Sequence, residues 1–148
     1  MKKLIRKLII KSEILFQFYY RYIFRPRANS IQNFLNNISK SQEIYFVQIG
    51  ANDGIYNDPL YKYIRRDKWK GVLIEPQKKI FNRLRNNYKN VEGIFFLNAA
   101  IDCKSGARPL YKISFTDADW ASGLSSFIRE KLEDNINSGY VHRKAKES

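Results

Sequence analysis

The sequence predicts an α/β fold built on the first half of a doubly wound parallel sheet, and three observations carry that expectation. Apolar runs at residues 44–49, 71–75 and 94–101 are too short and too rich in β-branched and aromatic residues for helices. Between them lie segments whose apolar residues recur at three- and four-residue steps, as on one face of a helix. The first run breaks at Gly50-Ala51-Asn52-Asp53-Gly54, and the next segment opens a helix, whereas a hairpin would bring an antiparallel strand at once. The resulting βαβαβ order implies right-handed crossovers. A chain of 148 residues, 44% hydrophobic and 28% charged, fits one globular domain and excludes disordered and fibrous classes.

Residues 1–28 read as a basic amphipathic helix and linker, and residues 29–148 as the domain. Eight of the Lys and Arg residues fall in the first 27 positions against one acid, Glu13, which accounts for 7 of the net +13. Leu4, Ile5, Leu8, Ile9, Leu15, Phe16, Tyr19, Tyr20 and Ile23 recur at helical spacing among these charges. Spanning a bilayer takes roughly 20 mainly apolar residues, and Lys11, Glu13, Gln17 and Arg21 interrupt every such run. No cleavage site of the secretory type comes after it. Two readings of residues 1–27 stand side by side: peripheral contact with an anionic membrane face, or packing on the domain or a partner with the basic face in solvent. Nucleic acid ranks behind both, and no specific nucleic-acid contact is expected. Pro26 ends the helix, and residues 24–30 form the linker.

Asn29 or Ser30 caps a short helix marked by Ile31, Phe34, Leu35 and Ile38 and ending near Ser41. The run from Ile44 to Ile49 reads as a strand buried on both faces. Asp58-Pro59 supplies a cap and a first-turn proline for a helix through Leu60, Tyr63 and Ile64 that ends at Arg65–Asp67. The second strand, Gly71–Glu75, leads through Pro76 into a helix marked by Ile80, Phe81, Leu84 and Tyr88, and the third runs from Ile94 to about Ile101. After a turn at residues 102–106, Tyr111, Ile113 and Phe115 alternate with Lys112 and Ser114 as in a half-exposed extra strand. Residues 118–126, with Trp120 near the front, form a loop that either covers the cleft or packs on the sheet. Phe127, Ile128, Leu132 and Ile136 mark a C-terminal helix.

In this architecture ligands bind beyond the carboxyl ends of the strands. Gly50 and Gly54 frame the first turn, and Glu75 ends the second strand 21 residues after Gly54. An acid there can accept hydrogen bonds from ribose hydroxyls, so loop and acid together imply an adenosine-type ligand. Each has a bland counterpart: Asn-Asp-Gly is also a hairpin turn, and a glutamate before proline also caps helices. Gly50-x-x-x-Gly54 is not the Gly-x-Gly-x-x-Gly of a nicotinamide dehydrogenase, and no Walker lysine comes after it. With a single cysteine, Cys103, and a single histidine, His142, the chain can build neither an internal disulfide nor a thiolate or imidazole metal cage. The expected location is reducing and cytoplasmic, with the membrane surface as its peripheral variant.

The segments Val47-Gln48-Ile49-Gly50-Ala51-Asn52-Asp53-Gly54 and Gly71-Val72-Leu73-Ile74-Glu75-Pro76 resemble two motifs of the FkbM-type methyltransferases. Asn98-Ala99-Ala100-Ile101 is similar to the family's third-strand end, and Trp120-Ala121-Ser122-Gly123-Leu124-Ser125-Ser126-Phe127 to a later Gly-Ser segment. The resemblance covers about residues 31–127. It implies a Rossmann-like class I methyltransferase fold, S-adenosylmethionine as cofactor, and O-methylation of a hydroxyl on a sugar or other small molecule. It also implies that Gly50, Asn52 and Gly54 shape the cofactor loop with Asp53 at its border, that Glu75 holds the ribose hydroxyls, and that Asn98 and Ala99 lie near the adenine edge. Gln48 departs from the broader pattern, since many relatives have an acid there for the cofactor's ammonium group. Asn52 stands where many have glycine, which its tolerance of left-handed backbone permits.

No general base is evident. His142 lies in a basic tail that reads as solvated surface, and Asp102, Asp117 and Asp119 read as turn and cap residues, so no metal is assigned. A complete class I sheet has seven strands, and about four are readable here. The expectation is therefore an incomplete fold: the first βαβαβ half, a short extra strand and a C-terminal helix, with an exposed sheet edge and uncovered apolar faces. Two further functional readings stand beside the enzyme, a non-catalytic remnant with a nucleoside-binding-like fold and a basic adaptor for membranes or RNA.

Overall fold

The computed structural model describes residues 8–116 and 118–147, the side chains of Asp119 and Glu147 excepted. The leader residues before Leu8, and Asp117, lie outside the described residues.

Three parallel strands, β1 (Tyr45–Ile49), β2 (Lys70–Ile74) and β3 (Ile94–Leu97), form one sheet in the order β1-β2-β3. Its register places Val47 beside Val72 and Phe95, and Gln48 beside Leu73 and Phe96. Helices fill the sequence between and around the strands. α1 (Glu13–Phe18) runs into a π-helical turn at Tyr19–Ile23, and α2 (Ile31–Ser41) precedes β1. α3 (Tyr61–Asp67) and α4 (Lys78–Asn87) make the two crossovers. α5 (Asp119–Ser122), α6 (Arg129–Asn137) and α7 (Tyr140–Glu147) come after the sheet.

Local chemistry sets the helix boundaries. Ser30 Oγ accepts the Asn33 N–H at 3.1 Å and caps α2. Asp58 Oδ1 accepts from the Leu60 and Tyr61 N–H groups at 2.6 and 3.2 Å and so holds the turn that leads into α3, but the N-cap is Leu60, without a side-chain cap, so the expected cap at Asp58 and first-turn proline at Pro59 each fall two residues ahead of their places. Lys68, in left-handed geometry at φ 60°, ends it.

The core lies on one side of the sheet. Tyr63, Ile64, Leu73 and Leu84 are fully buried there with Phe16 of α1, and Ile9, Ile10 and Tyr20 pack against the same cluster. The leader's inner face therefore rests on the domain. Arg65 fixes it, donating to the Ile10 carbonyl at 3.0 Å and pairing with Glu13, with its guanidinium 4.1 Å from the Phe16 ring centroid. Tyr63 stacks on Trp69 at 5.2 Å, and burial pushes its hydroxyl up to about 12.

Among the described residues the opposite sheet face is uncovered along the two outer strands, while Ile74 at the end of β2 is buried. Tyr45, Val47 and Ile49 of β1 and Phe95 and Leu97 of β3 are all exposed, and β1 has no strand on its outer edge among the described residues. The expectation of a first strand buried on both faces is thus corrected: the run has apolar residues on both sides, with the polar Gln48 on the core side, but among the described residues only one side meets helices. The extra strand at residues 111–115 is corrected too. It reduces to a single antiparallel bridge between Tyr111 and Ser126, because Ile113 is drawn into a separate small core with Ala121, Leu132 and Val141. The architecture shown is mixed α/β around a three-stranded parallel sheet, compatible with part of a Rossmann-like fold.

Candidate functional site

β1 and β2 end side by side, and the chain leaves β1 through a turn that folds over the end of β2. Gly50 and Ala51 both donate their N–H to the Ile74 carbonyl, at 2.9 and 3.0 Å. Asn52 then adopts left-handed geometry, φ 51°, which aims its N–H at Glu75 Oε2, 3.0 Å away. Glu75 is 3% exposed. Its Oε1 accepts from the Gln77 backbone N–H at 2.9 Å and, at a longer 3.3 Å, from the Gln77 side-chain amide. A carboxylate takes about four donors, so three leave about one acceptor position, on Oε2.

A cavity of about 350 Å³ opens at this point, with Gly50, Asn52, Glu75, Ala99, Ser122 and Phe127 in its wall. Gly50 suits it: at φ 70° the position favours glycine, and a Cβ there would meet no protein atom within 4 Å. The remaining expected site residues do other work. Asp53 is buried and turned inward, its Oδ1 accepting from the Ile55 and Tyr56 N–H groups at 2.9 and 2.8 Å and its Oδ2 pairing with Arg83 at 3.1 Å. Gly54 faces α4, where a Cβ would stand 2.3 Å from Tyr88 Cε2, and its carbonyl accepts the Tyr88 hydroxyl at 2.8 Å. Asn98 donates its amide to the Glu75 and Pro76 carbonyls at 2.8 and 3.0 Å, bracing the strand end, while its neighbour Ala99 reaches the cavity.

The Gly-Ser segment closes the cavity from the far side. Ser122 Oγ lies 2.9 Å from Asn52 Nδ2 and 3.1 Å from Asn52 Oδ1. Gln77 Nε2 lies 3.0 Å from the Ser122 carbonyl and 3.1 Å from Ser125 Oγ, so its two protons are shared among these two acceptors and the more distant Glu75 Oε1. Gln77 thus joins Glu75 to the covering segment. Its only sequence signal is its place just after Glu75-Pro76, which does not distinguish a clasp from an ordinary helix start. A second cavity, of about 640 Å³, shares Gln77 and Ser122 and adds Lys78, Arg83, Lys112 and Ile113.

The chain matches no family model, no curated protein and no solved structure. The chemistry of the site therefore rests on its own atoms. Gln48, on the core side of β1, is turned away from the cavity beside Glu75: its Nε2 donates to Asp58 Oδ2 at 3.3 Å, and its Oε1 is buried without a partner. Burial holds the Asp58 carboxyl above the usual carboxylate range, against the opposing hydrogen bonds. His142 is exposed on α7. Among the described residues no group of three or more metal-ligating side chains comes together.

Proposed function

We propose that the cavity beyond β1 and β2 binds the adenosine part of S-adenosylmethionine and that the chain is built for O-methyl transfer to a small-molecule hydroxyl. The observation that carries this reading is Glu75: a buried carboxylate at the end of the second parallel strand, oriented by the first glycine turn and retaining acceptor capacity toward a cavity. A ribose hydroxyl is the donor such an acceptor fits, since a second anion would be repelled and an apolar group would leave the carboxylate unpaired. Glu75 as held takes one hydroxyl on Oε2; a second requires the long Gln77 contact to yield. Gly50 leaves backbone room for the ligand, and Ala99 offers a small apolar wall.

When bound, S-adenosylmethionine supplies an already activated methyl group, so the residues' tasks are to position a hydroxyl and exclude water. The Ser122–Ser125 segment, clasped to Asn52 and Gln77, is placed for the second task. The larger cavity sharing Gln77 and Ser122 is where the acceptor fits.

Calorimetric titration of the purified chain with S-adenosylhomocysteine tests the proposal beside Glu75→Gln. Loss of a hydrogen bond to a charged acceptor costs about 1.5–3 kcal/mol, or roughly 10- to 150-fold in Kd. Saturable binding weakened by that factor supports the cofactor site. A folded chain that binds no S-adenosylhomocysteine defeats it.

A further inference from the structure

α1 carries two apolar faces, and the domain covers only one. Phe16 is fully buried, but on the opposite side Ile14, Phe18 and Tyr22 are 81%, 55% and 62% exposed, with Leu15 and Ile23 beside them. The rings of Phe18 and Tyr22 lie 5.6 Å apart, one turn from each other along the outer face. Lys11, Arg21, Arg25 and Arg27 flank this stripe. The only acid of the leader, Glu13, is engaged by Arg65 of α3.

From this arrangement we infer that the outer face of residues 8–27 is a docking surface for an anionic lipid bilayer, lying in the headgroup region without crossing it. A helix in that position buries an aliphatic and aromatic stripe at the acyl boundary and keeps flanking Lys and Arg at headgroup level. Tyr22 suits the boundary because its ring is apolar and its hydroxyl is polar. Among the described residues no helix is long and apolar enough to cross a membrane. Charge selects this occupant over the others. A second copy docked by the same face would bring Lys11, Arg21 and Arg25 against their own counterparts. Nucleic acid would use the arginines and could stack bases on Phe18 and Tyr22, but it gains nothing from Ile14, Leu15 and Ile23, the aliphatic part of the stripe that only an acyl boundary buries. Nothing in this surface depends on what the cavity binds.

Co-sedimentation of the full chain with vesicles of phosphatidylcholine alone, or with 30 mol% phosphatidylglycerol (about one charged lipid in three, a plain anionic probe), tests the inference. The full chain binds the anionic vesicles and not the neutral ones. Arg21→Gln/Arg25→Gln weakens binding by roughly 25-fold, about fivefold for each basic residue lost. Ile14→Ser/Phe18→Ser weakens it at least about tenfold, with circular dichroism unchanged because neither side chain contributes to the core. Equal binding to neutral vesicles overturns the inference. So does full anionic binding by Ile14→Ser/Phe18→Ser, which would reduce the surface to charge alone. A dimer in sedimentation equilibrium that this variant dissolves, with vesicle binding absent from the parent chain, assigns the face to a second copy instead.

Discussion

Replacing Gly54 with alanine separates two explanations of the glycine turn, closeness to a ligand and closeness to α4. At φ 73° a β-carbon is strained by about 1–2 kcal/mol. That β-carbon would also stand 2.3 Å from Tyr88 Cε2 and 2.7 Å from Leu84 Cδ1. Leu84 is 0% and Tyr88 1% exposed, so neither moves without disturbing the core, and overpacking of this kind costs about 1–3 kcal/mol. The sum is about 2–5 kcal/mol, a large share of the about 5–15 kcal/mol that stabilises an ordinary domain. With a urea slope of about 2 kcal/mol per molar, the midpoint falls by about 1–2.5 M. Gly50→Ala is the internal control: φ is 70°, but no atom lies within 4 Å of its β-carbon, so only the backbone cost of about 1–2 kcal/mol applies. Urea unfolding followed by far-ultraviolet circular dichroism measures both. Equal losses in the two variants would refute the argument, because the loop would then not rest on Tyr88.

Three other variants test the packing and the charges. Asp58→Asn keeps an oxygen for the Leu60 and Tyr61 N–H groups and removes a buried charge, so at pH 7 it should be neutral or stabilising by about 1 kcal/mol. The sign comes from burial raising the Asp58 pKa in the folded state: below the ordinary carboxylate range both states are protonated and the group contributes nothing, and its cost appears as pH rises through the raised value. The advantage of Asp58→Asn should accordingly grow from pH 4 to pH 7 in denaturant titrations (about the ordinary carboxylate value to neutrality), and a shrinking advantage would contradict it. Phe16→Ala should cost about 3–5 kcal/mol, since the ring is fully buried against Tyr20 and Tyr61 at 4.6 and 5.7 Å; a loss under about 1 kcal/mol would show the leader detached in solution. Val47→Thr/Phe95→Thr, on the uncovered sheet face, should leave the unfolding midpoint nearly unchanged and raise the concentration at which light scattering detects association.

The three strands and the helices between them were legible because each carries its own period and its own stop signal. Ser30 acts as the cap its chemistry predicts, Asp58 holds the turn two residues ahead of the N-cap of α3, and Ile80, Phe81 and Leu84 are the buried side of α4. What the sequence does not reveal is which faces find partners. The alternation Tyr45-Phe46-Val47-Gln48-Ile49 has apolar residues on both sides, and only the folded chain shows that Phe46 meets the core while Val47 meets solvent. The alternation at Tyr111–Phe115 lacks a neighbouring strand to pair with, so period alone overstates it. Within the site, Gly50, Asn52, Glu75 and Ala99 meet at one cavity, whereas Gly54 owes its glycine to Tyr88 and Asp53 its carboxylate to two backbone N–H groups. A Gly-x-x-x-Gly spacing does not distinguish a glycine that faces a ligand from one that faces a helix. Residues 118–126 are legible only as a loop that covers the cleft or packs on the sheet, and the tie between Gln77 and Ser122 escapes sequence reasoning because it spans 45 residues.

The central claim, that a nucleoside sits between the ends of β1 and β2 under the Gly-Ser segment, is tested most directly by nitrogen-15 NMR of the labelled chain titrated with S-adenosylhomocysteine. Saturable shifts concentrated on the amides of Gly50, Asn52, Glu75, Ala99 and Ser122 are the predicted result. Shifts confined to the basic residues of the leader, or absent from a well-dispersed spectrum, would contradict it.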